Sequence, residues 1–228
     1  MHLSKNYTVY KIAFLLLFIA LIYLTFNYTN KPTFSHYGEM IAFHQRQNQQ
    51  LPPNLIHFIG DSHIQGLAVQ AIDLNSVNLG IGSDTTHGVL RRLDIYKSLD
   101  KAKAIFFAIG FNDLKSKKPD DVTKNIIRII NLLNAEKKII LNDVFPINES
   151  KTNLKNMNSR IINLNLGLKE ICDNYINVFC LQVNPTFLGK NYSLKSDFDF
   201  GDGIHLNAKG YSIWINKIKS FFTLLGIS

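Results

Sequence analysis

Cysteine, proline and glycine are all scarce in this chain of 228 residues. The two cysteines, Cys172 and Cys180, are too few for a multi-disulfide framework or for a zinc site with four thiolates. Six prolines and 13 glycines exclude a collagen-like or flexible linker protein, and 18% charged against 46% hydrophobic residues exclude a disordered chain. The length suits one ordinary domain, which must be held together by the burial of apolar side chains.

Acidic side chains are absent from residues 1–30, and residues 12–22 have no polar side chain at all. Because Lys5 and Lys11 stand before this run, we expect a single-pass signal-anchor helix with the N-terminus in the cytoplasm and the rest of the chain outside the cell membrane. A cleaved signal peptide and a buried core helix are the alternatives, but no Ala-x-Ala-like cleavage site follows. Residues 31–53 are polar and predict a stalk or linker, with a partly helical linker as the alternative, which places the domain at 54–228.

Short apolar runs alternate with stretches of helical periodicity in the remainder of the chain. Helices are predicted at 119–133, 154–175 and 207–225, each with one apolar stripe. The apolar runs predict five strands, at 55–59, 76–79, 104–109, 138–142 and 177–183. Nearly apolar strands separated by helices indicate an α/β fold whose parallel sheet is covered on both faces. Functional sites in such folds lie at the carboxyl ends of the strands.

Polar clusters stand at those strand ends. Gly-Asp-Ser-His at 60–63 follows the first apolar run, the segment 78–86 includes the end of the second, and Gly-Phe-Asn-Asp at 110–113 follows the third. A fourth cluster, Asp-Gly-Ile-His at 202–205, precedes the last helix. We therefore expect the four clusters to meet at one edge of the sheet.

The residue types in these clusters are those of nucleophilic catalysis. Ser62, at a strand-to-helix turn, is the candidate nucleophile, and His205 the base that takes its proton. Asp202 could orient the imidazole and stabilise the imidazolium. The candidate oxyanion donors are the backbone N–H groups of Ser62 and Gly80 and the side-chain amide of Asn112. Gly82 is an alternative to Gly80.

The four clusters, in this order, resemble the conserved blocks of the SGNH/GDSL hydrolases, from residue 55 to about residue 222. The resemblance implies a flavodoxin-like three-layer α/β/α sandwich with a five-stranded parallel sheet, and hydrolysis or transfer of ester-linked acyl groups without a metal. The family's first block usually continues with Leu, whereas this chain has His63, which alters the pocket wall beside the nucleophile. A Gly-x-Ser-x-Gly elbow is absent, which argues against the α/β-hydrolase fold.

Other polar residues near the blocks are expected to play supporting parts. Asp61 and Asp113 should tie loops together through backbone hydrogen bonds. His63 and His87 are interpreted as loop or helix-start residues, with substrate contact as the alternative. Cys172 and Cys180 are expected to be two buried thiols, with a disulfide as the alternative if the domain is exported.

The sequence also restricts cofactors and partners. No spacing typical of metal ligands is present, so we predict neither a metal nor another cofactor. The net charge of +8 comes without interleaved basic and aromatic residues, so we predict no nucleic-acid partner. The leading hypothesis is a membrane-tethered serine esterase that acts on a small acyl ester of a cell-envelope carbohydrate or lipid. An O-acyltransferase and a non-catalytic binding module with the same fold are the alternatives.

Overall fold

The computed structural model describes residues 11, 13–23, 35–133 and 135–227. Residues 13–23 are helical, and the chain from Tyr37 onwards forms a separate compact unit. Within the described ranges, no helix is both long enough and apolar enough to cross a membrane. The rest of the predicted anchor, residues 1–10, 12 and 24–30, lies outside the described residues, so membrane insertion stays a prediction.

One parallel sheet of five strands forms the centre of the compact unit. The strands are β1 (Ile56–Gly60), β2 (Ser76–Gly80), β3 (Ala104–Ala108), β4 (Lys138–Asn142) and β5 (Val178–Leu181), in the spatial order β2-β1-β3-β4-β5. This is the strand order of flavodoxin-like folds, as the resemblance implies. Gly60 pairs with Gly80 on one side and with Ala108 on the other, so β1, β2 and β3 end at the same level. The residues that follow these three strands therefore meet at one edge.

From residue 36 onwards, the described chain has seven α-helices around the sheet. They are α1 (His36–Asn48), α2 (Ser62–Gln65), α3 (Thr86–Arg92), α4 (Pro119–Asn131), α5 (Met157–Asn174), α6 (Asn184–Phe187) and α7 (Ala208–Leu224). The three long helices predicted from the sequence correspond to α4, α5 and α7, with ends that differ by at most three residues. In α4, proline occupies the first turn, where its missing N–H has no intrahelical partner to lose.

Two apolar cores lie on the two faces of the sheet. Ile59 of β1 belongs to the core that contains Ile126 of α4 and Leu164 of α5. Its neighbour Phe58 points to the opposite face and belongs to the core that contains Trp214 of α7. Because successive strand residues point to opposite faces, each central strand contributes to both cores. The result is the expected three-layer α/β/α sandwich.

Helix α1 lies within the predicted linker at 31–53 but packs against the domain. His44 is buried, and its Nδ1 lies 2.9 Å from the hydroxyl of Tyr96. Asn48 is also buried and makes two hydrogen bonds with Ser98. Its side-chain N–H donates to the Ser98 hydroxyl at 2.5 Å, and its Oδ1 accepts the Ser98 backbone N–H at 3.2 Å. The compact unit therefore includes this helix and begins before residue 54. An apolar pattern does not reveal this contact, because polar groups make it.

The prediction of two free thiols was wrong, because Cys172 and Cys180 form a disulfide. Cys172 lies in the last turns of α5 and Cys180 in β5, only eight residues further along the chain. The short connection turns the strand back along the helix. This brings the two Cα atoms to 5.9 Å, a usual separation for a disulfide.

Candidate active site

Ser62 is the first residue of α2, which begins directly after β1. The Asp61 carboxylate accepts the His63 N–H at 3.0 Å and so caps this short helix. A Cβ atom at Gly60 would collide with the carbonyl oxygen of Ala108. Glycine therefore lets the chain turn sharply against β3, and the turn presents the Ser62 side chain at the carboxyl edge of the sheet.

The structure brings the three residues of the predicted triad together. The Oγ atom of Ser62 lies 2.9 Å from Nε2 of His205, and Nδ1 of His205 lies 2.5 Å from Oδ2 of Asp202. Both distances are within hydrogen-bond range. The Ser62 hydroxyl can thus reach a base whose other nitrogen already faces a carboxylate.

Asp202 is held by more than the imidazole. Its Oδ1 accepts the backbone N–H groups of Ile204 and His205, each at 2.9 Å. Burial opposes ionisation of this carboxyl, but the hydrogen bonds from the His205 side chain and from the two backbone groups outweigh it and lower the pKa of Asp202 to about 2. The carboxylate is therefore ionised at neutral pH.

A second carboxylate, Asp199, shapes the same loop and was not singled out from the sequence. Its buried Oδ1 accepts the backbone N–H groups of Gly201 at 2.7 Å and Gly203 at 3.0 Å, while its Oδ2 pairs with Lys151 at 2.8 Å. Both glycines have positive φ, so the loop takes a path that few other residues follow. An aspartate followed by two spaced glycines was the available signal.

The predicted oxyanion donors are only partly available. Asn112 donates one amide N–H to the Asp84 carbonyl at 3.0 Å, while Lys115 donates to its Oδ1 at 2.8 Å. These bonds fix the amide plane and leave its second N–H without an acceptor in the part of the chain that the structure describes. The Ser62 N–H likewise has no acceptor among the described residues.

The assignment of Gly80 as a donor disagrees with the structure. Its N–H donates to the side-chain oxygen of Asn78 at 2.9 Å. The N–H of Gly82, the alternative, donates to the side chain of Gln65. In the same loop, the N–H of Ser83 has no acceptor within the described ranges, and this residue has a φ of 64°.

Two buried carboxylates, Asp113 and Asp84, support the loops around the site. Asp113 accepts the N–H of Thr86 at 2.8 Å and its hydroxyl at 2.6 Å, and so joins the loops after β2 and β3 as expected. Arg92, which sequence reasoning missed, is fully buried, pairs with Asp84 at 2.8 Å and donates to the Leu79 carbonyl at 2.8 Å. This ion pair braces the loop that follows β2.

The two histidines left open by the sequence have different environments. His87 lies exposed on α3. His63 is 7% exposed, its ring centre is 5.5 Å from that of His205, and its Nε2 is buried without a hydrogen-bond partner in the described structure. It lines a small, mostly apolar cavity of about 20 Å³ with Phe111, Phe145 and Ile147. The cavity next to the residue that follows the nucleophile is thus narrow and lined by aromatic rings.

Comparison with known proteins identifies the family. The sequence model of the GDSL-like Lipase/Acylhydrolase family matches residues 58–213, which include Ser62 and His205. The chain belongs to this family. As a GDSL-like acylhydrolase, it is an ester hydrolase.

Several known proteins are similar to this acylhydrolase in sequence or in fold. Platelet-activating factor acetylhydrolase IB subunit alpha2 of Rattus norvegicus is 30% identical over 165 residues, which cover 68% of this chain and 70% of that protein. A Streptococcus pneumonia structure described as a platelet activating factor is 24% identical, with a TM-score of 0.75, 89% of this chain and 98% of that one being covered. The acetyl xylan esterase AlAXEase is 20% identical, with a TM-score of 0.61 and coverage of 73% and 98%. Both solved structures share the fold of this chain.

Proposed function

We propose that this acylhydrolase is a serine esterase that removes small acyl groups, acetyl above all, through an acyl-Ser62 intermediate. The observation that carries the proposal is the hydrogen bond of 2.9 Å between Ser62 and His205, with Asp202 behind the imidazole. A nucleophile, a base and an orienting carboxylate in line are the arrangement that acyl transfer to a serine requires.

The first half of the reaction forms the acyl-enzyme. Ser62 Oγ attacks the ester carbonyl carbon while His205 Nε2 takes the hydroxyl proton, and Asp202 stabilises the resulting imidazolium. The N–H groups of Ser62 and Asn112 bind the oxyanion of the tetrahedral intermediate, and we propose the free Ser83 N–H as the third donor in place of Gly80. Collapse of the intermediate breaks the ester C–O bond, and His205 returns the proton to the departing alcohol.

The second half releases the acid by the same groups. His205 takes a proton from a water molecule, which attacks the acyl carbon on Ser62 and forms a second tetrahedral intermediate. Its collapse gives the carboxylic acid, and the proton returns to Ser62 Oγ. A sugar hydroxyl in place of this water would make the protein an O-acyltransferase, the second candidate activity.

A preference for acetyl esters is supported by the cavity beside His63. Its volume of about 20 Å³ accommodates little more than a water molecule or a methyl group. The names of the rat acetylhydrolase and of the acetyl xylan esterase describe acetyl esters as well. A longer acyl chain that entered this cavity would have to displace the rings of Phe111 or Phe145.

We also propose that the enzyme acts outside the cytoplasmic membrane, tethered by the apolar segment at 12–22. The Cys172–Cys180 disulfide supports an oxidising compartment, because disulfides are rare in the reducing cytosol. A C-terminal fusion to a reporter enzyme that is active only after export tests the topology. Reporter activity confined to the cytoplasm contradicts this proposal.

Serine-directed labelling tests the proposed nucleophile. The purified full-length chain is incubated in mild detergent with p-nitrophenyl acetate and, separately, with a fluorophosphonate probe. We expect Ser62→Ala to lose both hydrolysis and labelling, whereas the exposed Ser196→Ala retains both. Equal labelling of the two variants would overturn the assignment. A wild-type protein that is labelled but shows no hydrolysis would instead favour transfer to an acceptor sugar, measured on an added oligosaccharide.

A further inference from the structure

A polar cleft lies beside the catalytic loop. It has a volume of about 400 Å³ and runs between the loop at 148–150, the start of α5 and the segment 190–193. Hydroxyl and amide groups dominate its lining, which includes Asn148, Asn156, Ser159, Lys190, Asn191 and Tyr192. This size is within the range of small-molecule sites.

Several polar side chains of the cleft are free to bind a ligand. Asn156, Lys190, Asn191 and Tyr192 make no side-chain hydrogen bond or ion pair with the described part of the protein. Glu149, the acidic residue of the lining, is already engaged, since its two oxygens accept the backbone N–H groups of residues 156 and 158 at 3.1 Å and 2.6 Å. The cleft thus offers amide and hydroxyl groups that both donate and accept.

The backbone of the cleft is held in an unusual conformation. Asn156, Asn191 and Tyr192 all have φ between 55° and 56°, the left-handed region. Asparagine adopts this region readily, but a tyrosine there is uncommon. Tyr192 is nevertheless 65% exposed, so its ring remains on the surface at the cleft. Unusual backbone conformations of this kind cluster at ligand-binding segments.

The cleft shares a wall with the catalytic centre. The Asn148 N–H donates to the carbonyl of Gly203 at 2.7 Å, and Gly203 directly follows Asp202. The preceding residue, Ile147, lines the small cavity next to His63 and accepts the Leu194 N–H through its carbonyl. A substrate whose acyl group lies at Ser62 could therefore extend its alcohol part along this wall.

We propose that the cleft binds a sugar ring of the alcohol part of the substrate, so that the substrate is an O-acylated glycan. This inference rests on the proposed esterase function. A sugar ring offers hydroxyls at its edge, which suit the free amides, and C–H groups on its faces, which suit the Tyr192 ring and Ile162. Among the described residues of the lining, Lys190 is the one cation and Ile162 the one aliphatic side chain. A phospholipid, with its anionic headgroup and long acyl tail, therefore fits less well.

Substitution of Tyr192 tests the proposal on the full-length protein. Tyr192→Asn removes the ring but keeps a residue that tolerates positive φ, and Tyr192→Phe keeps the ring. The substrates are p-nitrophenyl acetate, O-acetylated xylotetraose and O-acetylated chitotetraose. We expect Tyr192→Asn to raise the KM for at least one oligosaccharide about tenfold, with kcat and the p-nitrophenyl acetate reaction unchanged within about twofold. Tyr192→Phe should retain most of the wild-type affinity for that oligosaccharide.

Controls separate this inference from the proposed function. Leu224→Ala, at an exposed position on α7, should change neither reaction. The glycan site is overturned if Tyr192→Asn loses activity equally on all three substrates, or if its KM values for both oligosaccharides are unchanged. It is also overturned if the effect of Tyr192→Asn is confined to vesicles of acetylated phosphatidylcholine. Calorimetric titration of the Ser62→Ala protein with unacetylated xylotetraose and chitotetraose measures binding without catalysis. If p-nitrophenyl acetate is not hydrolysed but a tetrasaccharide binds and Tyr192→Asn weakens that binding, the esterase proposal fails and the glycan site stands.

Discussion

Oδ2 of Asp202 lies 2.5 Å from Nδ1 of His205, while Oδ1 of the same carboxylate accepts the backbone N–H of His205 at 2.9 Å. One residue thus holds both the ring and the main chain of the histidine. An ionised carboxylate can only accept a hydrogen bond, so Nδ1 must be the donor, and the neutral imidazole carries its proton on that nitrogen. The lone pair of Nε2 then faces the Ser62 hydroxyl.

Replacement of Asp202 by Asn should reverse this tautomer. The Asn side chain can donate to Nδ1, which moves the imidazole proton to Nε2 and removes the base from Ser62. We expect kcat for p-nitrophenyl acetate to fall about 10²- to 10⁴-fold with little change in melting temperature. Asp197→Asn, at an exposed aspartate that pairs with Lys209, is the matched control and should stay near wild type. A threefold or smaller loss in Asp202→Asn would contradict the assigned role.

Removal of the Asn112 amide tests the proposed oxyanion site. Asn112→Ala deletes a donor whose orientation is fixed by contacts with Asp84 and Lys115. We expect kcat to decrease about 10²- to 10³-fold while KM changes little, because the oxyanion exists only in the transition state and the intermediates. Asn131→Ala, at the exposed end of α4, serves as the control. A change confined to KM would show that Asn112 binds the ground state instead.

His63 should limit the acyl chain that the enzyme accepts. The buried ring narrows the cavity near His205 and leaves Nε2 without a partner in the described structure. In His63→Leu a flexible aliphatic side chain replaces the ring, so we expect the ratio of kcat/KM for butyrate over acetate to rise about tenfold. The ratio is measured on p-nitrophenyl esters, with the exposed His87→Leu as control. An unchanged ratio would exclude His63 as a determinant of chain length.

The strands and long helices could be predicted because buried parallel strands are continuous apolar runs and surface helices keep an apolar stripe. Strand β4, for example, spans the predicted 138–142. Helix α1 was assigned to the linker because the polar residues His44 and Asn48 hold it against the domain. Such contacts produce no apolar periodicity in the sequence. The disulfide depended on how α5 and β5 pack, which no spacing rule decides.

The same limit on prediction applies to individual contacts of the candidate site. Ser62, Asp202 and His205 could be predicted as a group because four short motifs occur in order at the ends of predicted elements, although each motif alone is common. The choice of oxyanion donor could not be predicted, since it depends on the Asn78 side chain, whose amide donates to the carbonyls of Ile64 at 2.6 Å and Leu67 at 2.9 Å. Anchored there, Asn78 turns its oxygen to the Gly80 N–H. Such a three-way contact between β2 and α2 becomes visible only in the folded chain.

Loss of the Cys172–Cys180 disulfide should destabilise the domain moderately. The bond closes a loop of eight residues, for which the chain-entropy model gives about 2.5 kcal/mol. We expect reductant to lower the free energy of unfolding in urea by roughly that amount. The Cys172→Ala/Cys180→Ala double variant should begin at the lower value and not respond to reductant. Identical curves for wild type with and without reductant would contradict the pairing.

The buried His44 on α1 should make the domain sensitive to mild acid. Burial, and then the charge of Arg92, lower the pKa of His44 to about 4, and burial lowers the pKa of His57 to about 4 as well. An unfolded histidine titrates near 6.5, so between about pH 6.5 and 4 the unfolded state binds protons that the folded state does not, and acidification reduces the free energy of unfolding. Asp143 acts in the opposite direction, because burial raises its pKa to about 6.

The variant His44→Gln isolates the share of His44, since glutamine can still bond the Tyr96 hydroxyl but does not titrate. Wild type should lose more stability than this variant when the pH falls from 7 to 4.5, by at most about 3 kcal/mol. Urea unfolding at constant ionic strength gives the difference, and the exposed His87→Gln should reproduce the wild-type dependence. If His44→Gln and wild type lose stability in parallel, the folded domain does not keep His44 neutral, and the packing of α1 does not depend on the charge of His44.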